Sequence, residues 1–562
     1  MRIDVIPSPH DLPAPFSATD RTRVLEAMAR EPLDVLVIGG GITGVGCALD
    51  AVTRGLRVGI VESDDWASGT SSRSSKMIHG GLRYLANGDV AVVRESLRER
   101  VRLQRNARHL VRPLSMLLPA YGRGPFPFER AKIGAGLWLY DALGHRRAAG
   151  ALHKWRSVAD LVRLVPNIAL DSKAGGGRLR GAHHYHDGSA DDARLVMTVL
   201  RSAVTRGVLA VNGTPSLRLM REGGRVVGAV VGGASAAAAH GSHEGELQLR
   251  ARVVVNATGV WSDATLDESL EGEVSSAPFR LVPSKGIHLT VRRDRAGIGS
   301  GIAFFEQTGN SNVFVEPWGD DLAFVGTTDA PFDGDLRNPE PTEEEIAWLL
   351  GVANGFLRHP MLRSDVITGW AGLRALVAPP ADPTDIEGAK PNASKDVSRR
   401  HLIVDEPGVV TVAGGKLTAY RAMAEDAIDH VMRQVGRSVK CVTARLSLDG
   451  DRALPTTREV GEVAAQFGCS RTDARQLLRR HGSNVPALAQ LVEARPELSQ
   501  RLHPDRSYLA VEAVWAIEYE QARTVDDVLA RRTRITLEVD DVTPAAARVE
   551  KLLDGDVTAA AV

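Results

Sequence analysis

The chain has 562 residues, enough for two or three structural domains with sizeable cores. Its 69 Lys and Arg side chains balance 69 Asp and Glu, and this formal charge of zero argues against wholesale nucleic-acid binding and leaves only local patches for partners. The three cysteines, Cys47, Cys441 and Cys469, form no C-x-x-C pair and no metal-ligand spacing, so a reducing compartment and no metal site are expected.

Met1 to Phe16 mixes charged residues with prolines and lacks the apolar core of a secretory signal. Nowhere does an uninterrupted apolar run reach the ~18 residues that a spanning helix requires. The expectation is a cytosolic or peripherally bound protein. Residues 1–30 read as an N-terminal extension, with a short helix over Arg21–Arg30.

From Asp34 to Ser63 the order is an apolar run (Val35 to Ile38), a glycine turn, a helical stretch to Arg54, Gly55, and a second apolar run (Val58 to Val61) ending at Glu62. This is a complete strand-helix-strand unit. Gly39, Gly41 and Gly44 stand in G-x-G-x-x-G order, with Ile42 and Thr43 opening the helix. Such a turn brings backbone N–H donors and the positive end of a helix against a pyrophosphate. Glu62, 18 residues past Gly44, stands where a carboxylate accepts hydrogen bonds from a ribose diol and repels a 2′-phosphate. The motif alone does not choose between FAD and NAD.

Residues 69–85 read Gly-Thr-Ser-Ser-Arg-Ser-Ser-Lys-Met-Ile-His-Gly-Gly-Leu-Arg-Tyr-Leu. They make a polar loop followed by a glycine turn at Gly80 and Gly81. Hydroxyls at Thr70, Ser71, Ser72 and Ser75 are available for phosphate or flavin, close to Lys76, His79, Arg83 and Tyr84. The run Arg94, Arg98, Arg100, Arg102, Arg105, Arg108 and Arg112 reads equally as a basic face or a solvated helix, with Arg98 and Arg102 on one face. Pro125–Arg147 brings Phe126, Phe128, Ile133, Leu137, Trp138, Leu139 and Tyr140 between Arg123, Arg130, Lys132, Arg146 and Arg147. That pattern suits an interfacial membrane anchor or, equally, a helix packed on the core.

Further along, Asp191–Thr205 reads as a helix, and Val226–Val231, Leu247–Asn256, Ile287–Val291, Asn312–Glu316 and Leu322–Gly326 read as strands. Segments 233–245 and 378–396 are expected to be loops. The Val253–Gly259 run ends in Ala257-Thr258-Gly259, similar to the returning strand of two-dinucleotide-fold flavoproteins. Val410–Thr418 runs from a strand into Gly414-Gly415-Lys416-Leu417-Thr418, suited to place N–H groups and Lys416 beside a flavin ring. Three nucleotide-style segments in one chain favour FAD. Residues 455–535 carry helical spacing, with starts marked by Ser470 before Asp473 and Thr524 before Asp527.

The string at 69–85 closely resembles the signature of the FAD-dependent glycerol-3-phosphate dehydrogenases, the membrane-associated aerobic type. So do Gly326-Thr327-Thr328-Asp329, Trp370-Ala371-Gly372-Leu373-Arg374 and Gly414 to Arg421, in order along most of the chain. The resemblance implies FAD-dependent oxidation of sn-glycerol 3-phosphate to dihydroxyacetone phosphate, with electrons passed to a membrane quinone. It implies that Arg83, Arg374 and Arg399 hold the substrate phosphate or line its pocket, a role guanidinium chemistry suits. Arg400 is the alternative to Arg399, and Ala375 stands where the family has proline.

Alcohol oxidation requires removal of the hydroxyl proton, and His79 and His288 are the candidates. His79 is read as the base and His288 as orienting the substrate, with Tyr84, Thr328 and Asp329 on the substrate wall. Lys416 is suited to stabilise developing negative charge, and Arg374 joins it in the catalytic set. The cofactor set comprises Gly39, Gly41, Ile42, Thr43, Gly44, Glu62, Thr70, Ser71, Ser72, Ser75, Lys76, His79, Gly80, Gly81, Ala257, Gly259, Gly415, Lys416, Leu417 and Thr418.

The expected fold is α/β: a two-dinucleotide-fold FAD-binding domain (31–115, 180–275 and 365–436), an interleaved α+β substrate-binding and membrane-facing domain (116–179 and 276–364) and a C-terminal helical domain (437–562). Expected partners are glycerol 3-phosphate, a membrane quinone, the bilayer surface at the inner face of the cell membrane, and a second copy of the chain. The rival readings are an oxidase of the same substrate that uses oxygen, a flavin-binding scaffold or sensor without catalysis, and an amino-acid-oxidase relative lacking the 69–85 string.

Overall fold

The computed structural model describes residues 12–82, 85, 88–122, 126–144, 152–172, 174–232, 245–267, 279–299, 302–308, 311–378 and 401–554, of which 126–129, 302–308 and 311–312 are described without side chains. Two sheets and a helical C-terminal unit organise them.

The first sheet runs in the order Leu402–Glu406, Val409–Ala413, Glu246–Asn256, Leu33–Ile38, Val58–Val61, Leu209–Val211. Its centre is parallel: Val35 registers with Val58 on one side and Val253 on the other, and Val409–Ala413 joins in the same sense. Parallel strands are covered on both faces, which is why these segments are continuous apolar runs without alternation. One face packs on the helices Ile42–Thr53, Asp192–Val204 and Tyr420–Gln434, around Val45, Leu200 and Ile428. The other face is covered by the Arg21–Arg30 helix, through Leu25 and Met28, and by the meander Ser216–Glu222, Arg225–Gly232, Glu246–Asn256.

The second sheet has eleven strands. Arg280–Arg292 pairs antiparallel with Val366–Ala378, setting His288 opposite Trp370 and Ser284 opposite Arg374. Arg112–Tyr121 pairs antiparallel with Gly177–Ser189, and Ile302–Thr308 joins Arg112–Tyr121 in parallel. The boundaries drawn from sequence at 180 and 365 assign most of Gly177–Ser189 and all of Val366–Ala378 to the nucleotide domain, yet both strands belong to the second sheet. Their pairing partners lie far away in sequence, and the strand pattern carries no information about which sheet a strand joins.

Of the five sequence-read strands, Leu322–Gly326 occurs with the expected bounds and the other four as parts of longer ones, and the helix expected at 191–205 runs Asp192–Val204, with the Asp191 side chain capping the Arg194 N–H at 3.2 Å. The C-terminal helices, among them Arg471–His481 and Ala510–Tyr519, enclose their own core around Phe467, Leu477, Leu488 and Trp515. Both expected starts are reciprocal caps: Ser470 with Asp473, and Thr524 with Asp527, whose two N–H···O bonds are each 3.1 Å. The arginine run does not form one basic face, because Arg100 is buried against Asp187 at 2.6 Å and Arg102 pairs with Glu99. The loops expected at 233–245 and 378–396 lie outside the described residues except for Gly245 and Ala378. Among the described residues no helix is long and apolar enough to cross a membrane.

Candidate active site

An elongated cavity of about 390 Å³ runs along the carboxyl ends of the first sheet. It begins at Glu62 and Thr214–Ser216, passes Gly39, Gly41, Ile42 and Thr43 at the start of the Ile42–Thr53 helix, and continues past Ala257 and Gly259 to Gly415, Lys416 and Leu417. The glycines are dictated by proximity. At Gly39, with φ of 110°, a Cβ would meet the Ala257 carbonyl oxygen at 2.6 Å, and at Gly41 it would meet Ser71 Oγ at 3.1 Å. Gly44 does not line the cavity: a Cβ there would sit 1.9 Å from the Gly39 carbonyl oxygen, so this glycine closes the helix onto the turn.

Glu62 is buried at the cavity's end, where Oε2 accepts the Gly40 N–H at 2.6 Å and Oε1 the Asp64 N–H at 2.9 Å. Burial pushes its proton affinity up while those N–H groups hold it down. Thr70 and Ser71 line the same cavity; the Thr70 hydroxyl donates to the Leu373 carbonyl at 2.7 Å, and Ser71 Oγ accepts the Ile42 N–H at 2.9 Å. This cradle fits an adenine dinucleotide: close-approach glycines, a helix N-terminus and a carboxylate at the ribose end.

At Thr70, Arg374, Ala375, Gly415, Lys416 and Leu417 the cavity meets a second one of about 290 Å³, which lies between the two sheets. Here the structure brings together His79, His288, Ser75, Gly81, Arg374, Lys416 and Thr418. Arg374 Nη2 donates to Thr327 Oγ1 at 3.1 Å and to the Thr328 carbonyl at 3.0 Å, and Nη1 lies 3.4 Å from Asp329 Oδ1. The His79 N–H donates to Thr418 Oγ1 at 3.1 Å, which ties the loop at 77–81 to the Gly-Gly-Lys turn. His288 is stacked on Trp370 and its Nε2 lies 2.9 Å from Ser75 Oγ. Burial, then the cationic Lys76 and Arg374, hold the His288 pKa well below the ordinary imidazole value.

Several residues expected on the cavity walls stand behind them. Lys76 is fully buried, bound to Asp192 at 3.0 Å and to the Ser72 carbonyl at 3.3 Å, with Trp370 5.3 Å from its ammonium; burial lowers its pKa to about 8. An ammonium cannot stay unpaired in such a site, so the loop turns it inward to Asp192 rather than outward to a ligand. Ser72 is also buried, its hydroxyl directed to the Gly69 carbonyl. Gly80 packs against Leu97 and donates its N–H to Tyr140 at 2.9 Å. Thr328 accepts the Ile287 N–H at 3.0 Å, while Asp329 accepts from the Ser284 hydroxyl and Arg374, so both support the arginine from behind. Arg83, Tyr84 and Arg399 lie outside the described residues.

Sequence reasoning missed Thr327 and Gly286, which stand on the wall beside Arg374. At Gly286 a Cβ would meet Arg374 Nη2 at 2.4 Å, so its place in Lys285-Gly286-Ile287-His288 was the available signal. It also missed Asp187, which lines the cavity floor and is held by Arg100 at 2.6 Å and the Tyr140 hydroxyl at 2.8 Å; no motif marks that trio. Among the described residues no group of three His, Cys, Asp or Glu could hold a metal ion.

Comparison with known proteins agrees with this geometry. A family model described as FAD dependent oxidoreductase matches residues 34–421, and one described as the C-terminal domain of alpha-glycerophosphate oxidase matches 441–558. The chain is 39% identical over 530 residues to a glycerol-3-phosphate dehydrogenase 2 of Mycobacterium tuberculosis, covering 93% of this chain and 85% of that protein. It is 33% identical over 532 residues to the aerobic glycerol-3-phosphate dehydrogenase of Bacillus subtilis, covering 92% and 90%. The solved structure of the glycerol-3-phosphate dehydrogenase from Bacillus halodurans, complexed with FAD, matches with a TM-score of 0.73 at 28% identity over 96% of this chain and 92% of that one. The chain belongs to the FAD-dependent oxidoreductases, in the glycerol-3-phosphate dehydrogenase family.

Proposed function

We propose that the protein oxidises sn-glycerol 3-phosphate to dihydroxyacetone phosphate and passes the electrons to a membrane quinone. The observation that carries this reading is Arg374, whose guanidinium is braced by Thr327, Thr328 and Asp329 where the two cavities meet, beside His79, His288 and Lys416. A guanidinium so oriented grips a phosphoester through charge-assisted, bidentate hydrogen bonds. Arg83 and Arg399 complete the proposed phosphate grip, with Tyr84 beside them.

FAD, when bound, supplies the acceptor for the hydride that leaves the substrate's carbinol carbon. Gly39, Gly41, Ile42, Thr43, Glu62, Thr70, Ser71, Ala257 and Gly259 hold its dinucleotide portion, and Gly415, Lys416, Leu417 and Thr418 border its ring. His79 removes the hydroxyl proton as the hydride departs. His288 acts by position: its depressed pKa makes it a weak base, and its Nε2 is engaged by Ser75. Lys416 brings a cation to the seam where negative charge grows during the transfer.

Anaerobic titration with glycerol 3-phosphate, followed by flavin absorbance, tests the reading: the flavin bleaches stoichiometrically, and Arg374→Ala bleaches only at much higher substrate. A flavin that stays oxidised in the wild type overturns it. A second reading, oxygen as acceptor, is supported by 32% identity over 543 residues to an alpha-glycerophosphate oxidase of Streptococcus pneumoniae. Turnover with air against turnover with a quinone analogue decides between them.

Docking on the inner face of the cell membrane is supported by the Phe126–Leu143 helix, which exposes Ile133, Trp138 and Leu139, with Trp138 59% exposed. Exposed Arg130 stacks on Trp155 at 4.5 Å beside this face. Apolar side chains edged by cations suit an anionic lipid surface. Co-sedimentation with anionic vesicles, lost in Trp138→Glu, is the expected result; equal sedimentation of both proteins refutes the docking.

A further inference from the structure

A separate cavity of about 340 Å³ lies where the second sheet meets the C-terminal helices. Arg112, at the start of the Arg112–Tyr121 strand, and Arg479, on the Arg471–His481 helix, both line it, although they are 367 positions apart in sequence. The other arginines on its wall are neutralised: Arg480 by Glu512 at 2.6 Å, Arg501 by Asp473 at 2.9 Å and Arg506 by Asp321 at 2.9 Å. Among the described residues, Arg112 and Arg479 make no side-chain hydrogen bond or ion pair.

Two guanidiniums held near each other in a partly buried site repel, and each has lost water that would have solvated it. Burial lowers the proton affinity of both. For Arg479 the charge of Arg112 adds to this and brings its pKa down to about 10, with only Asp320 opposing. Asp191, Glu316 and Asp320 lie near Arg112 without pairing with it, and Glu316 is itself drawn toward the neutral form by burial. A ligand with two negative charges answers this arrangement, because one carboxylate would neutralise a single guanidinium. At the cavity's other side Glu538 accepts from Trp318 Nε1 at 2.8 Å and the Tyr508 hydroxyl at 2.7 Å. That gives an aromatic and acceptor wall suited to hydroxyls.

We propose that this cavity is an anion site that takes inorganic phosphate or a small phosphomonoester, gripped between Arg112 and Arg479. The site shares no lining residue with the catalytic cavity, so the proposal stands or falls independently of the reading of that cavity.

The test is equilibrium dialysis of the flavin-loaded protein with radiolabelled inorganic phosphate and, separately, with glycerol 2-phosphate. Wild type and Arg374→Gln are expected to share one class of sites that Arg479→Gln and Arg112→Gln lose, while both of the latter keep wild-type flavin content. Arg479→Lys, which keeps the charge but not the fork, weakens that class about tenfold and serves if the neutral variants do not fold. Glycerol 2-phosphate binding at least tenfold tighter than phosphate assigns the site to phosphomonoesters, and equal affinity assigns it to the inorganic ion; both support the site. Equal phosphate stoichiometry in wild type, Arg479→Gln and Arg479→Lys, or loss of the class only in Arg374→Gln, overturns it.

Discussion

His288 lies flat against Trp370, ring centroids 5.0 Å apart and planes within 10°, because the two residues are directly opposite in the antiparallel pair that Arg280–Arg292 makes with Val366–Ala378. The stack fixes the imidazole plane, and Ser75 fixes its Nε2. Burial and two nearby cations keep the ring neutral. His288→Gln is therefore expected to raise KM for glycerol 3-phosphate about tenfold, the effect of one misplaced hydrogen bond, and to leave the pH profile unchanged, since a group whose pKa is depressed well below 6.5 does not titrate between pH 6 and 9. Disappearance of an acid limb from the kcat/KM profile contradicts this.

Arg374 is the stronger anchor. Removing two charge-assisted hydrogen bonds costs about 3 kcal/mol, so Arg374→Ala is expected to lower kcat/KM about 100-fold, with most of the change in KM. Asp329→Asn, which takes the carboxylate from behind the guanidinium, produces a change in the same direction of a few fold. Steady-state kinetics with glycerol 3-phosphate measure both; an Asp329→Asn effect larger than that of Arg374→Ala contradicts the bracing role.

At Gly44 the constraint is steric. A Cβ 1.9 Å from the Gly39 carbonyl oxygen forces the nucleotide turn open, and overpacking of this kind costs about 1–3 kcal/mol. Gly44→Ala is expected to emerge from gel filtration depleted of flavin, with a lowered Tm. Full flavin content at wild-type Tm shows that the turn tolerates the methyl.

Glu316 gives stability a pH dependence of known sign. It is fully buried, with Ser189 Oγ at 2.7 Å, and burial raises its pKa from 4.5 to about 7. Between these values the folded protein binds more protons than the unfolded chain, so stability falls as pH rises from about 4.5 through 7. Glu316→Gln removes this slope: its Tm relative to wild type climbs between pH 5 and pH 8. A constant difference over that range rules the assignment out.

Much of the nucleotide half was legible before the structure. Gly39, Gly41 and Glu62 act locally, within one strand-helix-strand unit, and local periodicity and spacing report such units. The reciprocal cap at Ser470 and the helix at Arg21–Arg30 were legible for the same reason. Direction was not: Lys76 and Thr328 sit inside recognisable strings, but whether a loop side chain faces a cavity or its rear depends on partners such as Asp192 and Ile287, more than 100 positions and 41 positions away in Lys76's and Thr328's cases. The same limit hid Asp187, which is held by Arg100 and Tyr140 across the fold, and hid the pairing of the strand Val366–Ala378 with Arg280–Arg292.

The C-terminal unit grips the region next to the nucleotide turn through three arginines within four positions. Arg531 and Arg532 both reach the buried Asp65, and Arg534 reaches Asp192 and the Ser72 carbonyl, behind the loop that carries Thr70 and Ser71. A fragment that stopped near residue 440 would leave Asp65 without its guanidinium counterions and Asp192 with Lys76 alone, inside an apolar interior. Dissection of this polypeptide into a flavin module and a helical appendage is thereby closed off: the last hundred residues are part of what makes the first hundred able to close around a nucleotide.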